Sequence, residues 1–140
     1  MTYYFDMDGV LANFHKDFDS KKRFQQALNR EWIANLEPFM NNVKVLKSLL
    51  TNNRVYILTR AANDAAMEGK KDWIKKYIPE FDLESSFICI VSGKGSGRKI
   101  DYIREDGILI DDDIKQTRPW EKAGHKAITL TEKGAQIEVA

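Results

Sequence analysis

The chain has 140 residues, 43% of them hydrophobic and 31% charged, which is enough for one domain with a real core and too apolar for a disordered chain. Its 22 basic and 21 acidic residues leave a net charge of +1, excluding a global positive field for wrapping nucleic acid and leaving room only for a local basic patch. The one cysteine, Cys89, has no partner for an internal disulfide and lies in an apolar run, so it fits a reducing compartment and argues against a nucleophilic thiol. No apolar run approaches the ~20 residues that cross a bilayer. The chain opens on a strand with no charged leader before it, and the expected location is cytoplasmic.

Tyr3-Tyr4-Phe5 reads as a first strand that stops at Asp6-Met7-Asp8-Gly9. Two aspartates after a buried strand need an explanation, although Asp-x-Asp-Gly alone fits a turn as well as a site. From Ala12 the pattern turns helical, with Phe14, Phe18, Phe24, Leu28 and Trp32 near helical spacing, and Asp19-Ser20 marking a break between two helices. The insert ends at about Leu36, before Pro38. Its Lys21-Lys22-Arg23 run reads as a solvated face. Phe14 and Trp32 suit either core packing or a small lid that stacks on a base.

Asn42 to Leu50 reads as a helix with Val43, Leu46, Leu49 and Leu50 on one face. Val55 to Leu58 is a second strand ending at Thr59-Arg60. Asn63 or Asp64 caps the next helix, which carries Ala66, Lys70, Trp73, Ile74 and Tyr77 along one side and stops before Pro79. Phe87 to Val91 is a third strand, and a polar, glycine-rich loop from Ser92 to Lys99 follows. That loop lacks the glycine spacing of a Walker motif. Gly107 to Ile110 is a fourth strand ending at Asp111-Asp112-Asp113, Lys115 to Ala123 a helix interrupted by Pro119, and Ala127 to Leu130 a fifth strand. The tail offers one candidate edge strand at Gln136 to Val139. Strands alternating with helices predict an α/β fold: a Rossmann-like parallel sheet of about five strands, helices on both faces, and a small helical cap inserted after the first strand. The expected organisation is a single domain over 1–140 with the cap at about 13–37.

Three of these strands end in polar residues: Asp6, Thr59, and Asp111 with Asp112. In a parallel sheet such endings share one edge, where α/β proteins bind ligands. Carboxylates gathered from two strands repel one another, and a hard divalent cation such as Mg²⁺ relieves that repulsion. The Thr59 hydroxyl with nearby backbone N–H groups could hold phosphate oxygens, and a lysine could balance the remaining charge.

With these segments in this order, Asp6-Met7-Asp8-Gly9-Val10-Leu11-Ala12, Leu58-Thr59 and Ile108-Leu109-Ile110-Asp111-Asp112 resemble three signature segments of the haloacid-dehalogenase (HAD) superfamily of phosphatases. Asn35-Leu36-Glu37-Pro38 and Lys70 to Tyr77 add a resemblance to the 5′(3′)-deoxyribonucleotidases. The resemblance covers nearly the whole chain. It implies that Asp6 is the nucleophile carrying an aspartyl-phosphate and that Asp8 is the general acid and base. It also implies that Asp6, the backbone carbonyl of Asp8, and Asp111 hold Mg²⁺, with Asp112 in support. A phosphate-binding lysine is implied before the fourth strand, and Lys99 suits that place better than Lys94, which reads as a loop charge. Lys70 is implied as a further phosphate contact, against the competing reading of a solvated helix face. Arg60 departs from the family pattern, which has a small residue after the threonine, and either adds substrate contacts or points away. The cap is also shorter than in familiar members.

The implied activity is Mg²⁺-dependent hydrolysis of (deoxy)nucleoside monophosphates, small phosphomonoesters met without a membrane partner. A 3′-phosphatase acting on nucleic acid ends, with Lys21-Lys22-Arg23, Arg60 and Arg98 on the strand, is the alternative enzyme. A nucleotide-binding module without turnover is the alternative outside enzymes.

Overall fold

The computed structural model describes residues 1–14 and 25–139. Phe18, Phe24, the Asp19-Ser20 break and the Lys21-Lys22-Arg23 run lie outside the described residues. The elements in chain order are β1 (Thr2–Phe5), α1 (Arg30–Ala34), α2 (Met40–Leu49), β2 (Arg54–Ala61), α3 (Asp64–Tyr77), α4 (Leu83–Ser86), β3 (Phe87–Val91), a 3₁₀ turn (Lys99–Tyr102), β4 (Ile108–Asp111), α5 (Ile114–Lys122) and β5 (Ala127–Thr129). The five strands form one sheet in the order β3-β2-β1-β4-β5, every pair parallel. This is the Rossmann-like α/β architecture that the alternation predicts.

β1 is the middle strand, and its alternating side chains feed two cores. Tyr3 and Phe5 join a large core with Ile57, Ile110, Val43, Leu46, Trp73 and Ile74, covered by α1, α2 and α3. Tyr4 faces the other way, into a smaller core with Tyr56, Leu58, Leu109 and Trp120 beneath α5. Tyr4 stacks on Tyr56 at 4.8 Å and meets Trp120 edge-on at 4.9 Å. A strand buried on both faces must be apolar throughout, which is why β1 reads as an unbroken aromatic run in the sequence.

The helix starts follow ordinary capping chemistry. The Asn63 side chain accepts from the Ala66 N–H at 2.8 Å and opens α3, and Asp113 accepts from the Lys115 N–H at 2.9 Å and opens α5. Pro119 lies inside α5 without ending it, and Gly124 follows the C-terminus with φ +97°. The described part of the insert is fastened to α3. Trp73 Nε1 donates to the Leu36 carbonyl at 2.9 Å, and Arg30 forms a two-pronged ion pair with Asp72.

Two sequence expectations need correction. β2 runs through Thr59, Arg60 and Ala61, three residues past its apolar stretch, because it continues to pair with Cys89, Ile90 and Val91 of β3. The tail is not a strand. Ile137 is buried, and its N–H donates at 2.9 Å to the side chain of Asn42 on α2. Asn42 is fully buried and also donates to the Val10 carbonyl at 3.0 Å and the Ala135 carbonyl at 2.8 Å. One amide thus ties the loop after β1 to the chain's end. Asn42→Ala strands two carbonyls and an N–H, and is expected to destabilise the fold by about 2–4 kcal/mol, read as a shift in the urea midpoint.

Among the described residues, no helix is long and apolar enough to cross a membrane.

Candidate active site

Phe5 is in register with both Ile57 on β2 and Ile110 on β4, so the chain leaves β1 at Asp6 level with the end of β4 at Asp111. Met7 to Ala12 then curls tightly, with the N–H groups of Leu11 and Ala12 both donating to the Met7 carbonyl at 2.9 Å. Gly9 permits that curl. Its φ is +82°, and a Cβ there would overlap the Asp112 carboxylate.

The result is an open cleft of about 540 Å³ at the carboxyl edge of the sheet, lined by Asp6, Asp8, Arg60, Lys99, Asp111 and Asp112 among others. Asp6 and Asp111 are 6% and 1% exposed. Lys99 lies buried between them, its Nζ 2.7 Å from Asp6 Oδ1 and 2.7 Å from Asp111 Oδ2. The Lys99 backbone N–H donates to Gln116 Oε1 at 2.9 Å, which fixes the start of the 3₁₀ turn against α5. Lys94, the other candidate, pairs with exposed Asp64 at 3.0 Å.

Burial pushes the Asp6 carboxyl well above the usual carboxylate range; Lys99 pulls it back, and Asp111 and Asp8 push it up again. Burial opposes the charge on Lys99, but Asp6 and Asp111 together outweigh it and hold the ammonium above its ordinary range. Asp112, half-buried, is also raised, first by burial and then by the charge on Asp111. Burial pushes the Cys89 thiol to about 11, so it stays protonated and is no nucleophile at neutral pH.

Lys70 overturns the reading of a solvated helix face. It is 1% exposed, and its Nζ donates to Asp8 Oδ2 at 2.9 Å, Thr59 Oγ1 at 2.7 Å and the Arg60 carbonyl at 2.6 Å. An ammonium has three donors, and all three are satisfied, so its burial is tolerated. The Thr59 hydroxyl is correspondingly turned inward, fully buried and occupied by Lys70. Phe14 and Trp32 meet edge to face at 5.5 Å and pack against the large core. Neither is among the described residues lining the cleft.

The set fits a hard divalent cation. Carboxylate oxygens of Asp6, Asp111 and Asp112 lie within 4.8 Å of one another, and every candidate ligand is an oxygen. Asp8 Oδ1 is buried without a hydrogen-bond partner among the described residues. Five carboxylates line the cleft against the two cations Lys99 and Arg60. Such crowding of carboxylates, two of them buried, is unfavourable until a cation enters.

Three contributors escaped the sequence reading: Gln116, Ser92 and the link from Lys70 to Asp8. Gln116 had a signal, because it stands three residues after the cap Asp113, the spacing of a capping box. Its side chain turns instead to Lys99 and to the Gly97 carbonyl at 3.1 Å.

No protein-family model matches the chain, and no curated protein matches it in sequence. Solved structures do match. A chain of the Pnkp1/Rnl/Hen1 complex has a TM-score of 0.68 at 13% identity, over 92% of this chain and 45% of that one. The HAD-family enzyme BT-2542 of Bacteroides thetaiotaomicron, in complex with magnesium and inorganic phosphate, has a TM-score of 0.59 at 15% identity, over 91% and 92%. A hydrolase from Pseudomonas syringae has a TM-score of 0.56 at 12% identity, over 99% and 86%. The chain therefore spans less than half the length of the first and most of the length of the other two. It shares its α/β fold with all three, among them the HAD-family enzyme BT-2542.

Proposed function

We propose that the protein is a Mg²⁺-dependent phosphomonoester hydrolase acting on (deoxy)nucleoside monophosphates, in the manner of the 5′(3′)-deoxyribonucleotidases, as one domain with a small cap at about 13–37. The observation that carries this reading is Asp6, Asp8, Asp111, Asp112 and Lys99 gathered in one cleft at the sheet edge. The magnesium and phosphate bound in BT-2542 support it.

In this reading an Asp6 oxygen attacks phosphorus and the bond to the ester oxygen breaks. Asp8 gives its proton to the departing alcohol. Asp8 then takes a proton from water as that water attacks the aspartyl-phosphate, releasing inorganic phosphate and restoring Asp6. Lys99 neutralises charge between Asp6 and Asp111 so that an anionic phosphate can approach. Lys70 holds one oxygen of Asp8 and the Thr59 hydroxyl, fixing the second acid relative to β2. Mg²⁺, held by Asp6, the Asp8 backbone carbonyl and Asp111 with Asp112 in support, would polarise the phosphoryl oxygens and offset their charge.

The direct test is phosphate release with Mg²⁺ from the common nucleoside monophosphates, a sugar phosphate and a generic aryl phosphate. Release that chelation abolishes, with nucleotides preferred over the sugar phosphate, is expected. No release from any of them would end the proposal.

A pH dependence follows from the raised carboxyls. Asp6 and Asp112 hold protons more tightly in the folded protein than in the unfolded chain. Without metal, their contribution to stability is therefore present in acid and lost as pH rises through the folded values. Metal binding must displace those protons, so stabilisation by Mg²⁺ is expected to grow as the pH rises from acid towards neutrality. Melting curves in Mg²⁺ and in EDTA across that range measure it.

A further inference from the structure

Beside the catalytic cleft lies a second hollow of about 210 Å³, bordered by Arg60, Ser92, Gly93, Gly95 and Gly97. Arg60 and Ser92 line both spaces, so the two are adjacent. The Arg60 side chain is exposed, and its guanidinium lies against Gly97, where an added Cβ would stand 3.6 Å from Nη2. Among the described residues no carboxylate pairs with it, although five line the neighbouring cleft. The glycine loop is fastened on several sides. The Ser92 N–H donates to the Ala61 carbonyl at 2.9 Å, Tyr102 Oη to the Ser96 carbonyl at 2.7 Å, and Gln116 Nε2 to the Gly97 carbonyl at 3.1 Å. Gly93 and Gly95 take φ values of +82° and +110°, and a Cβ on Gly93 would meet nothing within 4 Å. The loop is thus held in place while its backbone at Gly93 stays open to a ligand.

An unpaired guanidinium fork beside open glycine backbone is chemistry suited to a phosphate group. It borders both the acidic cleft and the hollow, where it would neutralise a second anion beside the reacting one. We infer that Arg60 and the loop Ser92–Gly97 form a subsite for a second phosphate of the substrate, adjacent to the phosphate that is hydrolysed. This inference rests on the proposed phosphomonoester-hydrolase reading and moves the preferred substrate from a nucleoside monophosphate to a nucleotide bearing two phosphates: a nucleoside bisphosphate, or a strand end whose next phosphodiester occupies the subsite. Arg60 is here a specificity residue, and the strand would enter past exposed Arg98.

The test measures binding to the Asp6→Asn variant with Mg²⁺ by calorimetry, and turnover by the wild type. The ligands are thymidine 5′-monophosphate, thymidine 3′-monophosphate, thymidine 3′,5′-bisphosphate and a 3′-phosphorylated trinucleotide. At least one two-phosphate ligand is expected to bind about tenfold or more tighter than either monophosphate. Arg60→Ala in the same background is expected to reduce that ratio to about two, and Arg60→Lys to restore it in part, keeping charge but losing the fork. The larger Arg60-dependent ratio identifies the bisphosphate or the strand as the source. Equal binding of all ligands, a ratio untouched by Arg60→Ala, or an equal loss on every ligand would overturn the subsite. Absence of turnover by the wild type would instead remove the hydrolase reading, while the binding ratios still judge the subsite.

Discussion

Asp6→Asn is expected to lower phosphate release by at least about a thousandfold while leaving the protein folded. The amide keeps the size of the carboxyl but cannot attack phosphorus, and in the proposed reading it also removes one charge from the metal site. Its effect on stability runs the other way. Burial already disfavours the Asp6 anion, so removing that charge without metal is expected to leave the melting temperature unchanged or higher. Lys99 still has Asp111 at 2.7 Å. Initial rates on an aryl phosphate, with melting curves in EDTA, separate the two effects. More than a tenth of the wild-type rate in the variant would remove Asp6 from the chemistry.

Lys99→Met is expected to have the largest effect on stability. Methionine replaces the buried stem but leaves Asp6 and Asp111, 6% and 1% exposed, facing each other without a cation. Removing one partner of a buried ion pair costs about 3–5 kcal/mol. For a domain of this size that is a fall of roughly 10 °C or more in EDTA. The deficit should shrink in acid, because protonation of Asp6 removes the repulsion, and saturating Mg²⁺ should recover part of it. A Lys99→Met variant that melts with the wild type in EDTA at neutral pH would contradict the charge balance described here.

The sheet was legible because buried strands must be apolar, and each apolar run here is bounded by polar residues. What the runs could not show was hydrogen bonding. Thr59 and Arg60 end the apolar stretch of β2, yet the strand continues because Cys89, Ile90 and Val91 remain beside it. The tail shows the converse. Gln136 to Val139 alternates like a strand, but its Ile137 N–H goes to the Asn42 side chain instead of to a neighbouring strand.

The site divides in the same way. Asp6, Asp111 and Asp112 could be brought together from sequence because strand endings in a parallel sheet share an edge, and register then fixes their height. Lys70 could not be placed, although its helical spacing put it in line with Ala66, Trp73 and Ile74 on the buried side of α3. Its charge argued for solvent, and the acceptors that allow its burial belong to Asp8, 62 residues away, and to Thr59 and Arg60 on β2. Helical period located the side chain correctly, and only the assembled sheet edge supplied a reason to bury it. Phe14 and Trp32 show the limit for aromatics, since their spacing is the same whether they face a ligand or, as here, each other and the core.

The most direct test is a crystal soaked with Mn²⁺ and orthovanadate, with manganese located by its anomalous signal. Manganese shared by the Asp6 and Asp111 carboxylates, with vanadium facing the free oxygen of Asp6 and lying beside Asp8, is the expected result. Vanadate bound away from Asp6, or manganese bound outside the Asp6, Asp111 and Asp112 cluster, would contradict it.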